Sequence, residues 1–224
     1  QRTLRIDFCM KDLNVKKVSA ANIPVEAIPA LLDEEKIAFQ QIATVNWAEF
    51  PYMPEVQFRI AYTHDSILLH YKVKEASVRA VAAHDNGSVW EDACVEFFSV
   101  PADDGVYYNV ECNCAGTLLV GAGDERENRR HAPQEVLDKV QRWSSLGREP
   151  FEEQIGDCSW EVALIIPFTT FFLHDVKSLE GKEIRANFYK CGDKLQTPHF
   201  LSWNPIDLPQ PNFHCPQFFG TLHL

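Results

Sequence analysis

Apolar and polar residues alternate along much of the chain with the period of two that is typical of β-strands. In residues 66–74, for example, Leu69, Tyr71 and Val73 alternate with the residues of a more polar face. The same pattern predicts further strands at residues 4–8, 42–47, 57–62, 94–100, 106–114, 160–166, 183–191 and 218–222. Short turns separate most of these strands, which is typical of an antiparallel sheet.

Helical spacing is limited to two segments. Pro24 and Pro29 leave room for only a short helix, at residues 30–35. Pro133 opens a second helix, which is predicted to run to Trp143 as an insertion at the edge of the sheet. Many short strands with one helical insertion predict an all-β fold, an antiparallel β-sandwich.

Residues 88–98 combine an aromatic side chain with carboxylates. On the predicted strand, Glu96 falls on the same face as Cys94, among apolar neighbours, and Trp90 follows a turn signal at residues 85–87. An indole ring beside hydrogen-bond acceptors suits a neutral, hydroxyl-rich ligand, because sugar rings stack on aromatic faces and carboxylates accept hydroxyl protons. The alternative is a half-buried core Trp beside a solvated acidic turn.

The strand predicted at residues 106–114 carries a polar row on one face. If it forms a hairpin with residues 94–100, Asn109 and Glu111 lie on the same sheet face as Glu96. These side chains would then form a patch of acceptors and amide donors. An ordinary solvated face is the alternative.

Composition narrows the range of partners. The 224 residues are 46% apolar and 12% aromatic, which is typical of an ordered globular protein, and no run of about 18 apolar residues is present that could span a bilayer. The net charge of −11 works against binding to nucleic acid or to anionic membrane surfaces. We therefore expect neither a nucleic-acid partner nor membrane insertion.

The seven cysteines are scattered and follow no metal-binding spacing. They are Cys9, Cys94, Cys112, Cys114, Cys158, Cys191 and Cys215. The lack of a C-x-x-C repeat argues against structural zinc, and we assign no metal ligands. The cysteines are interpreted mainly as small buried apolar residues.

No motif typical of a serine hydrolase, zinc protease, P-loop or dinucleotide-binding enzyme occurs in the sequence. We therefore predict a protein that is not an enzyme. Glu96 and Glu111 are the pair that could serve glycoside hydrolysis, which uses two carboxyl groups. A glycoside hydrolase or accessory domain acting through this pair remains the enzymatic alternative.

Several blocks, taken in order, resemble the carbohydrate-binding module family 9, especially its stand-alone relatives in Bacteroides-type gut bacteria. The blocks are Trp90-Glu91-Asp92-Ala93-Cys94-Val95-Glu96-Phe97-Phe98, residues 160–168, residues 187–193, His199-Phe200-Leu201-Ser202-Trp203-Asn204-Pro205 and residues 213–222. The resemblance covers residues 42–224. It implies an immunoglobulin-like or jelly-roll β-sandwich that binds mono-, oligo- or polysaccharides without cleaving them, and a single domain over residues 1–224 with residues 1–41 as a lead-in.

The resemblance also implies a binding site. Two Trp rings clamp a terminal sugar in this family, and a Glu on the strand after the first Trp holds its hydroxyls; Trp90 and Glu96 match these two positions. Trp203 is our candidate for the second Trp. We add Asn109, Glu111 and Lys190 as further polar contacts, from strand parity and position rather than from the family.

Two further expectations follow from the resemblance. Family modules can carry structural calcium, and the turns Asp85-Asn86-Gly87 and Asp103-Asp104-Gly105 could supply oxygen ligands, although each is also typical of an ordinary turn. The family favours a periplasmic or secreted location, whereas an odd cysteine count favours a reducing compartment.

A protein-interaction sandwich that has lost its sugar site is the third functional alternative.

Overall fold

The computed structural model describes residues 10–224, so the strand predicted at residues 4–8 lies outside the described part of the chain. Fifteen strands occur in the described residues: β1 (Asp12–Asn14), β2 (Lys16–Lys17), β3 (Gln40–Gln41), β4 (Thr44–Val45), β5 (Glu55–Tyr62), β6 (Ser66–Ala80), β7 (Cys94–Val100), β8 (Tyr107–Asn113), β9 (Leu118–Gly123), β10 (Arg130–His131), β11 (Gln141–Ser144), β12 (Phe151–Pro167), β13 (Glu183–Cys191), β14 (Phe200–Ser202) and β15 (Gly220–His223). The helices are α1 (Ile28–Glu34), α2 (Gln134–Leu137) and four 3₁₀ turns at Val25–Ala27, Val89–Glu91, Phe168–Thr170 and Pro216–Phe218.

The strands form two sheets. The first sheet has the order β1-β15-β13-β7-β8-β9-β10, with β14 added beside β13 and β4 beside β14. The second has the order β11-β12-β6-β5-β2, with β3 also beside β5. Apart from the short parallel pairs β1–β15 and β2–β5, the strands pair antiparallel. The predicted all-β sandwich is confirmed.

Aromatic residues fill the space between the two sheets. Phe58 of β5 stacks on Phe188 of β13 with 3.7 Å between ring centroids, and Phe188 stacks in turn on Phe97 of β7 at 5.0 Å. The residues on either side of Phe97 in β7 point away from this core, and Phe98 belongs to a second apolar cluster on the outer face of the first sheet. The alternation predicted for residues 94–98 is therefore confirmed, and it places Glu96 on the outer face.

The second predicted helix is largely wrong. The structure has only α2, one helical turn, followed by β11, which contains Trp143. Trp143 pairs with Ala163 of β12, and this strand pairing satisfies backbone groups that a short, isolated helix would leave open. The helix predicted at residues 30–35 is confirmed as α1, which starts slightly earlier.

The strand β9 was not predicted. Its sequence, Leu-Leu-Val-Gly-Ala-Gly, carries two glycines and no polar alternation, because both of its faces are covered. None of the helices in residues 10–224 combines the length and apolar character needed to cross a bilayer.

Candidate functional site

A pocket of about 440 Å³ lies on the outer face of the first sheet, over β7, β8 and β13. Its floor comes from strand residues and its walls come from the loops that follow β9, β13 and β14. The side chains that line it are Trp90, Glu96, Asn109, Glu111, Leu119, Arg126, Glu127, Arg129, His131, Cys191, Asp193, Phe200, Pro211, Asn212, Phe213 and His214. The pocket thus brings together four of the six predicted site residues: Trp90, Glu96, Asn109 and Glu111.

Two carboxyl groups face each other on the pocket floor. The β7–β8 hairpin sets Glu96 directly opposite Glu111, and both side chains are buried, so the predicted shared face is present. Burial raises the pKa of Glu96 well above its usual range, and the adjacent Glu111 raises it further. Burial also raises the pKa of Glu111, but hydrogen bonds from Asn109 and Glu96 oppose that rise. Because burial raises the pKa of both groups and the neighbouring Glu111 raises that of Glu96 further, Glu96 is the member of the pair that more strongly favours the neutral form.

Amide and guanidinium groups extend this polar floor. Asn109 donates from Nδ2 to Glu111 Oε2 at 2.8 Å and accepts at Oδ1 from Arg129, whose Nη2 lies 2.7 Å away. Arg129 also donates to the Tyr107 carbonyl oxygen at 2.8 Å and stacks over the Tyr107 ring, 4.0 Å from its centroid. Arg129, Asn109 and Glu111 thus form a connected network of donors and acceptors beside the buried Glu96, rather than the solvated face considered as the alternative.

Trp90 stands at the rim of the pocket on the 3₁₀ turn Val89–Glu91, with 38% of its surface exposed. The buried Asp92 fixes the end of this turn, because its carboxylate accepts from the backbone N–H groups of Val81 and Ala82 at 3.0 Å each. The Trp90 carbonyl oxygen accepts from the N–H of Asp193, just after β13, at 3.1 Å. The backbone of Trp90 is thus held from two sides while its indole remains accessible.

The segment after β14 builds another wall of the pocket. Phe213 stacks on Tyr189 at 4.1 Å with nearly parallel rings, and Phe200 packs against Phe213 at 6.1 Å. His214 Nδ1 lies 2.9 Å from the hydroxyl of Tyr107, and burial lowers the pKa of His214 to about 3, so its ring is neutral at pH 7. This wall offers an apolar face and one imidazole.

Trp203 does not belong to the pocket, and its proposed role as the second stacking ring needs correction. Its side chain is only 1% exposed and lies on the inner face, edge-on to Phe58 and Phe188 at 5.7 and 5.6 Å. Phe58 on β5 and Phe188 on β13 belong to opposite sheets, so Trp203 fills the space between the sheets. It is a core residue.

Lys190 is likewise not on the pocket face. On β13 the odd-numbered Tyr189 and Cys191 point outward, so Lys190 points inward, and it is completely buried. Its Nζ donates to Glu75 Oε1 of β6 at 3.0 Å and lies 2.7 Å from His199 Nε2. The parity of β13 therefore makes Lys190 part of a connection between the sheets rather than a ligand contact.

Five of the cysteines, Cys94, Cys112, Cys114, Cys191 and Cys215, are buried free thiols, in keeping with the sequence interpretation, whereas Cys158 is partly exposed. Cys9 lies outside the described residues. On the pocket floor, Cys191 donates to Glu96 Oε1 at 3.4 Å and Cys94 donates to the same oxygen at 3.8 Å. Burial raises the pKa of the Cys94 thiol, whereas the hydrogen bond with Cys94 is the main cause that raises the pKa of Cys191, with burial as the second cause.

Neither turn considered for calcium fits such an ion. The Asp85 carboxylate is held by Arg142, with distances of 2.7 and 3.0 Å, and Asn86 Oδ1 accepts from the Val120 N–H. The Asp104 carboxylate lies 2.6 Å from His174 Nε2. These oxygens accept hydrogen bonds that hold the loops in place, so they are not free to coordinate an ion.

Sequence reasoning missed the contributions of the loops. Arg129, Asp193, Phe213 and His214 line the pocket, but each lies in a segment without a strand pattern. The charged segment at residues 124–130 is the available signal for the loop that carries Arg129, and charge alone does not specify which sheet face a loop covers.

Comparison with known proteins gives one family. The sequence model described as carbohydrate-binding family 9 matches residues 26–224. No curated protein sequence matches the chain. Among solved structures, a candidate carbohydrate-binding protein from Bacteroides uniformis is 63% identical, with 95% of this chain and 98% of that chain covered and a TM-score of 0.93.

More distant structures share the fold. Two structures of a carbohydrate-binding module of family 9 from Caldicellulosiruptor kristjanssonii, in complex with glucose and with cellotriose, are 10% and 11% identical to this chain. Each aligns with 95% of this chain and with 95% and 93% of its own, with TM-scores of 0.56 and 0.58. At this identity the likeness shows the β-sandwich fold alone.

Proposed function

Because the chain belongs to carbohydrate-binding family 9, we propose that it binds a saccharide non-catalytically in the pocket beside Trp90. The observation that carries this proposal is an exposed indole next to a buried row of carboxyl and amide groups. A sugar ring presents apolar C–H faces and polar hydroxyl edges, so it needs both kinds of surface side by side. The pocket supplies both.

Each part of the pocket has a defined role in the proposal. Trp90 supplies the stacking face, since its backbone is held while its ring stays accessible. Glu96 and Glu111 hold hydroxyl groups, with Asn109 keeping the Glu111 carboxylate oriented at 2.8 Å. Phe213, on the wall after β14, adds apolar contact. Because the polar row is already connected before a ligand arrives, little side-chain entropy is lost on binding.

The test is a glycan array followed by titration of intrinsic Trp fluorescence, with glucose and cellotriose as the first probes. Trp90→Ala should weaken binding by about 10- to 100-fold, because burial of a large apolar side chain contributes about 1.5–3 kcal/mol. The fluorescence change on binding should disappear in the same variant.

Trp203→Phe is the matched control, since it removes an indole from the core and leaves the pocket unchanged. This variant should bind with the parent affinity once it is shown to be folded. Binding that is equally strong in Trp90→Ala and the parent would place the sugar elsewhere. A folded parent protein that binds no glycan would favour the protein-interaction alternative.

The facing carboxyl groups also favour one enzymatic alternative, a glycoside hydrolase acting through Glu96 and Glu111. Retaining hydrolysis needs carboxyl groups about 5 Å apart, and inverting hydrolysis a wider separation. Glu96 and Glu111 pair directly across the β7–β8 hairpin, where opposite Cβ atoms lie about 4.5–5.5 Å apart. Release of a chromogenic aglycone by the parent protein, lost in Glu96→Gln, would support hydrolysis over binding.

A further inference from the structure

Two cysteines that are far apart in the sequence lie next to each other beneath the pocket. Cys94 is the first residue of β7 and Cys191 the last of β13, and the antiparallel register pairs them directly. Glu96, two residues along β7, points to the same face. Both sulfur atoms approach one oxygen, Glu96 Oε1, at 3.8 Å from Cys94 and 3.4 Å from Cys191.

These distances match the edges of a tetrahedral metal site. With Zn–S bonds of about 2.3 Å and Zn–O bonds of about 2.0–2.2 Å, ligand sulfur and oxygen atoms lie about 3.5 Å apart. The two observed distances fall on either side of this value, and the three ligand atoms all lie within 4.8 Å of one another. An ion could enter the centre of this group with only small side-chain adjustments.

We propose that Cys94, Cys191 and Glu96 form a binding site for a thiophilic divalent cation of the Zn²⁺ class. Two sulfur ligands favour such an ion over Ca²⁺ or Mg²⁺, which prefer oxygen. Cys191 and Glu96 also line the pocket, which therefore gives the ion a path from solvent. Three protein ligands leave the fourth coordination position of such an ion to water.

The surroundings of the thiols are acidic. Glu96 and Glu111 lie close to Cys94, and Glu111 and Asp193 lie close to Cys191. Each thiol also donates to a backbone carbonyl oxygen, Cys94 to that of Val95 at 3.8 Å and Cys191 to that of Trp90 at 3.5 Å. A divalent cation would supply the positive charge that these buried groups lack. Binding releases the two thiol protons and the Glu96 proton to solvent, so affinity should rise with pH.

The argument for this site does not rest on the proposed sugar binding, although the two would share Glu96. A bound cation would hold the carboxylate that the sugar hydroxyls would otherwise use. Metal binding can be measured without any sugar, so failure of one proposal does not imply failure of the other.

The experiment is a titration of the full chain with Co²⁺, under nitrogen and with a phosphine reductant that keeps the thiols reduced. We expect one equivalent of Co²⁺ to produce a thiolate-to-metal charge-transfer band, which Zn²⁺ then removes by displacement. Cys94→Ser and Cys191→Ser should each weaken binding by more than about 100-fold, since even partners outside the ligand set contribute about 10- to 100-fold.

Cys158→Ser is the matched control, because this thiol is more accessible than the other two and lies outside the site. It should retain the full band. Thermal unfolding checks that each variant is folded; if a serine variant does not fold, Glu96→Gln, which keeps both thiols, should still show reduced Co²⁺ affinity. Absence of the band in the parent, or its persistence in the double variant Cys94→Ser/Cys191→Ser, would overturn the proposal.

Discussion

Asp193, just after β13, shows how the surroundings of a single pocket residue change its titration. Its carboxyl group is partly buried and lies near Glu91, and both effects favour the neutral acid. Burial is the larger effect, and together they raise the pKa of Asp193 from 3.8 to about 6. Trp90 accepts a hydrogen bond from the backbone of the same residue, so the turn that carries the indole and this titrating group are directly connected.

The raised pKa predicts a pH-dependent effect of Asp193→Asn. The folded state holds the Asp193 proton more tightly than the unfolded state, so this residue reduces stability progressively as pH rises from 3.8 to about 6. Asp193→Asn should therefore be close to the parent in free energy of unfolding at pH 3.5 and more stable than the parent at pH 7.

Urea unfolding at a series of pH values measures this difference. Asp207→Asn, at an exposed position, serves as the control. A stability difference between Asp193→Asn and the parent that is constant with pH would contradict the assignment.

The hairpin β8–β9 shows how an element shapes the pocket. Asn109 of β8 lies directly opposite Gly121 of β9, and the missing side chain leaves space for the Asn109 amide. A Cβ atom at Gly121 would lie only 2.7 Å from Asn109 Oδ1, which is the oxygen that accepts from Arg129. Gly121 weakens the strand pattern of β9 in the sequence, but its missing side chain is what leaves room for Asn109 in the polar row.

Gly121→Ala should displace the Asn109 side chain and disconnect Arg129 from the row. We expect a loss of about 1–3 kcal/mol in the free energy of unfolding, as is usual for overpacking, and weaker saccharide binding. Gly123→Ala adds a methyl group two residues along the same strand, where the nearest atom is 3.4 Å away, and should have a smaller effect on both measurements. Equal effects of the two substitutions would show that the close approach at Gly121 is unimportant.

At the scale of the whole molecule, an ion pair joins the two sheets. Lys190 of β13 and Glu75 of β6 are both buried, and their charged atoms lie 3.0 Å apart. Glu75 also accepts from the indole N–H of Trp160 on β12 at 2.7 Å. Because nearby groups satisfy both charges, the pair ties the sheets together in one relative position.

The single-domain organisation over residues 1–224 stays a prediction.

Lys190→Met should destabilise the protein by about 3–5 kcal/mol, because it leaves the Glu75 carboxylate buried without its partner. The double variant Glu75→Leu/Lys190→Met removes both charges and should recover part of this loss. Urea unfolding of the two variants and of Glu75→Leu completes the cycle. Additive effects of the two single substitutions would mean that the ion pair does not couple the sheets.

The sequence by itself determined the strand-rich architecture and the face on which several site residues lie. Side-chain direction in a strand follows from parity alone, so Glu96 and Glu111 could be placed together once the hairpin was predicted. Trp90 and Glu96 are only six residues apart, so the sequence alone could also place them near each other.

Only the tertiary structure decided which sheet face becomes the pocket and which becomes the core. Lys190 and Trp203 are near the pocket residues in sequence, but they point between the sheets, since burial depends on what the second sheet covers. The pairing of Cys94 with Cys191 and the loop walls at Arg129 and Phe213 also depend on contacts between distant segments. Such contacts leave no local periodicity, which is why the sequence pattern did not reveal them.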